Sequence, residues 1–271
     1  MISAAGQALT RLFDLILLPA RGAAPVWGIA LAALLTAAGV LISYRLVSDQ
    51  DAIRRLKKRV QGHLLGIYLY RDDPRAMLGS LGRVWSNSMR YLAYSLVPFA
   101  VAFVPVALVC LQLDLRYAHR PLRPGERMTV SVELDPSAPP PALSSTGGLQ
   151  IETAPLAIGG TGETNWRVRA VAQGAQAVTV AVGEETLALP VAVGGAARPL
   201  CRRRLRSPVR QGLLCPAGDP IPRGSAVRAV RVSYPPERVR LAGMRLHWSA
   251  SFFVLALAFG LLLKRPFGVD F

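Results

Sequence analysis

Three stretches of this sequence contain no Asp, Glu, Lys or Arg: residues 22–44 and 91–113, of 23 residues each, and residues 246–263, of 18. A helix rises about 1.5 Å per residue, so roughly 20 apolar residues cross a hydrocarbon core of about 30 Å. The first two runs are long enough for that, and the third barely so. An apolar content of 52% and a mean hydropathy of +0.34 agree with a chain that meets lipid. The expected class is therefore an integral membrane α-helical protein with three transmembrane helices.

Orientation follows from the segment between the first two runs. Residues 48–90 hold nine Lys and Arg against four Asp, and short loops with such an excess stay in the cytoplasm. Ten basic residues lie from Arg45 to Arg90, whereas Arg11 and Arg21 alone precede the first run. This predicts Met1 outside and Phe271 inside a bacterial inner membrane. Within the segment Ile53, Leu56, Val60, Leu64 and Ile67 repeat every three or four residues, as do Met77, Leu78, Leu81, Val84, Trp85 and Met89 beyond Pro74. Two such stripes predict a cytoplasmic helical hairpin. Its basic face, Arg54, Arg55, Lys57, Lys58 and Arg59, reads as a surface beside anionic lipid or as a contact for a client such as a nascent chain or RNA.

Ahead of the first run, Leu9, Leu12, Phe13, Ile16 and Leu17 share a helix face opposite Gln7, Arg11 and Asp14. Such a helix can lie in the membrane interface or pack on the exterior domain. Small residues of the first run, among them Gly28, Ala33 and Ala37, suit close helix packing.

After Pro124-Gly125 the period changes from helix to strand. Met128, Val130, Val132 and Leu134 alternate with polar residues, and Trp166, Val168 and Ala170 alternate with Arg167 and Arg169. Val178, Val180 and Val182 reach a turn at Gly183-Glu184-Glu185 that Leu187, Leu189, Val191 and Val193 follow, as in a hairpin. With residues 149–153 and 227–234 added, an inserted extracytoplasmic all-β sandwich-like domain of six or seven strands is expected. The predicted order is an interfacial helix (1–21), span (22–47), basic hairpin (48–90), span (91–113), β-domain (114–245), span (246–263) and tail (264–271).

Cys201 and Cys215, with no histidine near, read as a disulfide of an oxidising compartment rather than a metal site. The arginines between them, Arg202, Arg203, Arg204 and Arg206, are either a candidate contact for anions such as lipid headgroups or a solvated loop. A nucleophile elbow, a P-loop, a zinc-protease helix and a dinucleotide fingerprint are all lacking. No enzyme, cofactor or metal is expected, and the net charge of +16 is read through topology rather than as a nucleic-acid surface.

The order of these parts resembles the YidC-type insertase superfamily, over residues 1–113 and 246–263. The phrases Arg120-Pro121-Leu122-Arg123-Pro124-Gly125-Glu126 and Lys264-Arg265-Pro266-Phe267-Gly268-Val269 also look like those of an uncharacterised bacterial inner-membrane family. The first resemblance implies a membrane-protein insertion or assembly factor, with lipids and nascent membrane proteins as partners. The competing expectation is an envelope scaffold or receptor whose β-domain binds another envelope protein.

Overall fold

The computed structural model describes residues 2–20, 22–47, 74–195, 199–215 and 219–267. The first arm of the expected hairpin, with Arg54, Arg55, Lys57, Lys58 and Arg59, lies outside the described residues. Five α-helices are described: α1 (Ile2–Ile16), α2 (Pro25–Val47), α3 (Pro74–Tyr117), α4 (Pro208–Leu214) and α5 (Trp248–Phe267). Three carry stretches long and apolar enough to cross a membrane, at Pro25–Leu46, Ala100–Tyr117 and Trp248–Phe267.

The second of these differs from expectation. No boundary separates the hairpin arm from the span, because α3 is a single helix of 44 residues that continues through Pro98 and Pro105. It also runs past residue 113, taking Asp114 and Arg116 into its last turn. Charge suggested an end there, but both side chains find protein partners: Arg202 donates to Asp114, and Arg116 donates to Asp14.

The chain divides into two compact units, one formed by Met1–Leu31 with Cys110–Phe252 and the other by Ala32–Val109 with Phe253–Phe271. In the second unit α2 buries Ala32, Ala33, Ala37 and Leu41 along one face. In the first unit α1, the N-terminal ends of α2 and α5, the C-terminal end of α3 and the whole β-domain belong together. There α2 approaches α3 closely at Gly28, where a Cβ would lie 1.9 Å from the Tyr117 hydroxyl.

The β-domain has more strands than the alternation revealed. β1 (Arg127–Leu134), β3 (Leu149–Ile151), β5 (Glu163–Ala170), β6 (Gly174–Val182), β7 (Glu185–Val193) and β9 (Val227–Val232) fall where expected. β2 (Ala142–Ser145), β4 (Leu156–Ile158), β8 (Arg203–Leu205), β10 (Val239–Leu241) and β11 (Met244–Leu246) are additional. One sheet runs β3-β5-β1-β9-β8, with β4 also on β5, and another runs β2-β6-β7, while β10 and β11 form a separate hairpin. All the pairings within these sheets are antiparallel.

One core joins the two sheets. Val130 lies between Trp166 and Val232 in register, Val180 lies opposite Leu187, and all are buried. In β9 the buried valines are three residues apart at Val227 and Val230, out of phase for a regular strand. A bulge opposite Glu133 and Leu134 absorbs the extra residue, so both valines face inward. Pro190 falls on β7, an edge strand of its sheet, where a missing N–H costs least. The open side of β7 is partly covered by Leu122, which donates to Ala192 and accepts from Gly194.

Candidate functional site

The arginine-rich segment was expected as a loop pinned at its ends. Cys201 and Cys215 do form a disulfide, with Cα atoms 5.1 Å apart, and Cys215 is buried. The interior of the loop is nonetheless ordered into β8 and α4. Ser207 followed by Pro208 starts α4, since proline at the first helical position lacks only an N–H that would be unsatisfied anyway. Gln211, buried in this helix, accepts from the Leu205 N–H and donates to the Cys215 carbonyl, tying strand to helix.

Three of the four candidate anion contacts reach protein acceptors. Arg202 donates to Asp114 Oδ2 at 2.5 Å and lies 3.2 Å from His119 Nε2. Burial first, and then the Arg202 guanidinium, hold the His119 imidazole below its ordinary pKa. Arg204 reaches from the edge of one sheet to the other, donating to the Ala188 carbonyl of β7 at 2.7 Å and to the Asp219 carbonyl. Arg206 donates to Asp135 and to the Ser225 carbonyl, both at 2.6 Å. Asp135 also accepts from Arg228, and these two hydrogen bonds hold its carboxyl below the usual range. Arg203 alone of the four is solvent-exposed.

Arg203 belongs to a broader surface. Since Val130, Trp166 and Val230 point inward, the intervening residues of β1, β5 and β9 point outward. Arg127 lies opposite Arg169, Thr129 opposite Arg167, and Arg203 opposite Arg231. Glu152 bridges Arg127 and Arg169 at 2.9 and 3.2 Å, and Glu133 pairs with Arg231. Arg167 and Arg203 have no acidic partner among the described residues. Like charges directly opposite each other destabilise a sheet; Glu133 offsets this at Arg231, and Arg203 stands beside that pair without an acid of its own among the described residues. Alternating Arg167 and Arg169 were legible in the sequence, but their alignment with Arg127, Arg203 and Arg231 depends on strand order.

A second polar cluster, unforeseen, joins α1 to α3. Arg116 is buried and donates to Gln112 Oε1 at 2.5 Å, to the Thr10 carbonyl at 3.0 Å and to Asp14 at 2.9 Å. Its guanidinium lies 5.9 Å from the centre of the Phe13 ring. α1 also packs on α4. α1 therefore packs on the unit that carries the β-domain. Phe13 and Leu17 are buried, while Leu12, Leu15 and Leu18 remain exposed. Asp14, assigned to the polar stripe, faces Arg116.

Among the described residues no group of three or more His, Cys, Asp and Glu side chains could hold a metal. No family model matches the chain and no curated protein matches it. Two S-layer structures are similar at 18% identity and a TM-score of 0.24. Domains 4 and 5 of SbsC are matched over 29% of this chain and 48% of that one, and rSbsC(31-844) over 32% and 13%. A likeness of that size carries no argument about fold or function.

Proposed function

We propose that the chain is a membrane-anchored envelope scaffold whose exterior sandwich holds an acidic partner on the outward face of the six-stranded sheet. The supporting observation is the patch of Arg127, Arg167, Arg169, Arg203 and Arg231 on that face, with Arg167 and Arg203 unmatched by acids among the described residues. Guanidinium groups recognise carboxylates by paired hydrogen bonds, and a face on which five arginines outnumber Glu133, Glu152 and Glu163 steers an acidic partner. A photo-crosslinking side chain at Thr129, in the middle of the face, should capture an acidic envelope protein in intact cells. The R167E/R203E variant should lose that adduct while the sandwich stays folded. An adduct that survives the double charge reversal, or none at all, overturns the reading.

A second reading, insertion or assembly of membrane clients, is favoured by one feature of α3. Leu81, Trp85, Met89, Leu92 and Leu96 recur every three or four residues and are all exposed, so a single apolar stripe runs up the helix. A nascent apolar segment could lie along it. Crosslinking from position 85 to a nascent membrane protein would support this function, and unchanged client insertion after depletion would refute it.

A further inference from the structure

A second basic surface lies at the start of α2, apart from the sheet face discussed above. An open cleft of about 470 Å³ is bounded there by Ala24 and Pro25, by the segment 236–240 and by Arg245. Arg123, Arg238, Arg240 and Arg245 line it and are all exposed. Arg120 also lines it but is engaged with Glu126 at 2.6 and 2.8 Å. Glu237 is the one acid among the lining residues, against these five arginines.

Two further observations point to an anion. Arg240 and Arg245 face each other across the β10–β11 hairpin, a like-charge pair that an isolated hairpin would not favour. The positive end of α2 meets the cleft, and Gly22, Ala23 and Ala24 before Pro25 have no side-chain acceptor to cap it.

Position in the chain indicates the class of anion. The cleft adjoins the first residue of α2, and α5 begins at Trp248, two residues after β11. Both helices are long and apolar enough to cross a membrane, so on that reading the cleft lies where each enters the headgroup layer. Trp27, 66% exposed, and Met244, 59% exposed at the hairpin end, suit the same depth.

We propose that this cleft seats the phosphate group of an anionic phospholipid, held by Arg123, Arg238, Arg240 and Arg245. The proposal rests on α2 and α5 being membrane spans, but not on the sheet-face function.

The test uses the full chain purified in a neutral detergent. Phosphatidylglycerol, phosphatidylcholine and inorganic phosphate are titrated separately, and bound lipid is read by native mass spectrometry and by the shift in melting temperature. Phosphatidylglycerol should bind and stabilise well below the concentration at which phosphatidylcholine does. The R240Q/R245Q variant should weaken that binding by at least about tenfold, while R167Q/R203Q, on the sheet face, should leave it unchanged. Equal binding by wild type and R240Q/R245Q overturns the site. Saturation by inorganic phosphate with no competition from phosphatidylglycerol overturns the lipid assignment. Carbonate-resistant membrane association, measured on the same variants, separates failure of the site from failure of the membrane reading.

Discussion

Replacing Arg116 with Met should free α1 from the rest of its unit without unfolding the sandwich. The guanidinium, whose side chain is 6% exposed, donates to the Thr10 carbonyl, the Gln112 side chain and Asp14. Removing it leaves the buried Gln112 side-chain oxygen without its donor and takes a second donor from the Thr10 carbonyl, which already accepts within α1. A buried unsatisfied group costs about 1–3 kcal/mol. Asp14 is one-third exposed and can rehydrate, so the total should be about 1–3 kcal/mol, less whatever the methionine recovers by packing against Phe13. A local destabilisation of about 2 kcal/mol accelerates amide exchange about thirtyfold when opening precedes exchange. Hydrogen exchange of the full chain in detergent should show that acceleration across α1, with β1, β5 and β6 unchanged. Asp14→Asn should have a smaller effect, since the charge keeps carbonyl acceptors. The two effects should also be non-additive by about 1 kcal/mol. Unaltered α1 protection in Arg116→Met, or an equal loss throughout the β-domain, would refute this account of how α1 is held.

Cys201→Ser should lower the stability of the β-domain by about 2–4 kcal/mol in denaturant unfolding without preventing membrane association, because the core of the two sheets is built without the disulfide. Ala242→Asn should stabilise the β10–β11 hairpin by about 0.5–1 kcal/mol. Ala242 and Gly243 have φ of 49° and 84°, and two positive φ values in such a turn favour Asn-Gly over Ala-Gly; an unchanged or lower melting temperature would contradict this. The hydrogen bond from Arg120 lowers the Glu126 pKa to about 2. A depressed acid contributes stability that is complete above its unfolded pKa, near 4.5, and lost as pH falls toward 2. Solvent screening limits the effect to about 1 kcal/mol, and Glu126→Gln should flatten that part of the stability–pH profile.

What was legible in the sequence was whatever has a period. The apolar runs gave three helices, and alternation gave β1 and β7 close to their ends but only the C-terminal parts of β5 and β6, from Trp166 and Val178 onward. β9 was placed despite its three-residue valine spacing, although the bulge was not foreseen. Short strands escaped because three residues hold no period: Arg203-Arg204-Leu205 is a strand through its pairing with β9, not through composition. α4 had a readable start in Ser207-Pro208, hidden within a segment dominated by its arginines. The Asp14–Arg116 contact joins residues 102 apart, and no local pattern encodes it. The arginines of the disulfide segment looked available because their acceptors, such as the Ala188 and Ser225 carbonyls, lie on other parts of the chain.

Topology underlies both the scaffold and the lipid site, and impermeant thiol labelling of intact cells tests it most directly. Ser137 is exposed, whereas the neighbouring Ala138 packs against the core, so the exterior probe belongs at Ser137→Cys. Gln61→Cys reports on the basic segment between the first two apolar runs. Labelling at 137 in intact cells, with labelling at 61 only after permeabilisation, is the predicted result. Labelling at 61 in intact cells with none at 137 would invert the chain in the membrane and contradict the account.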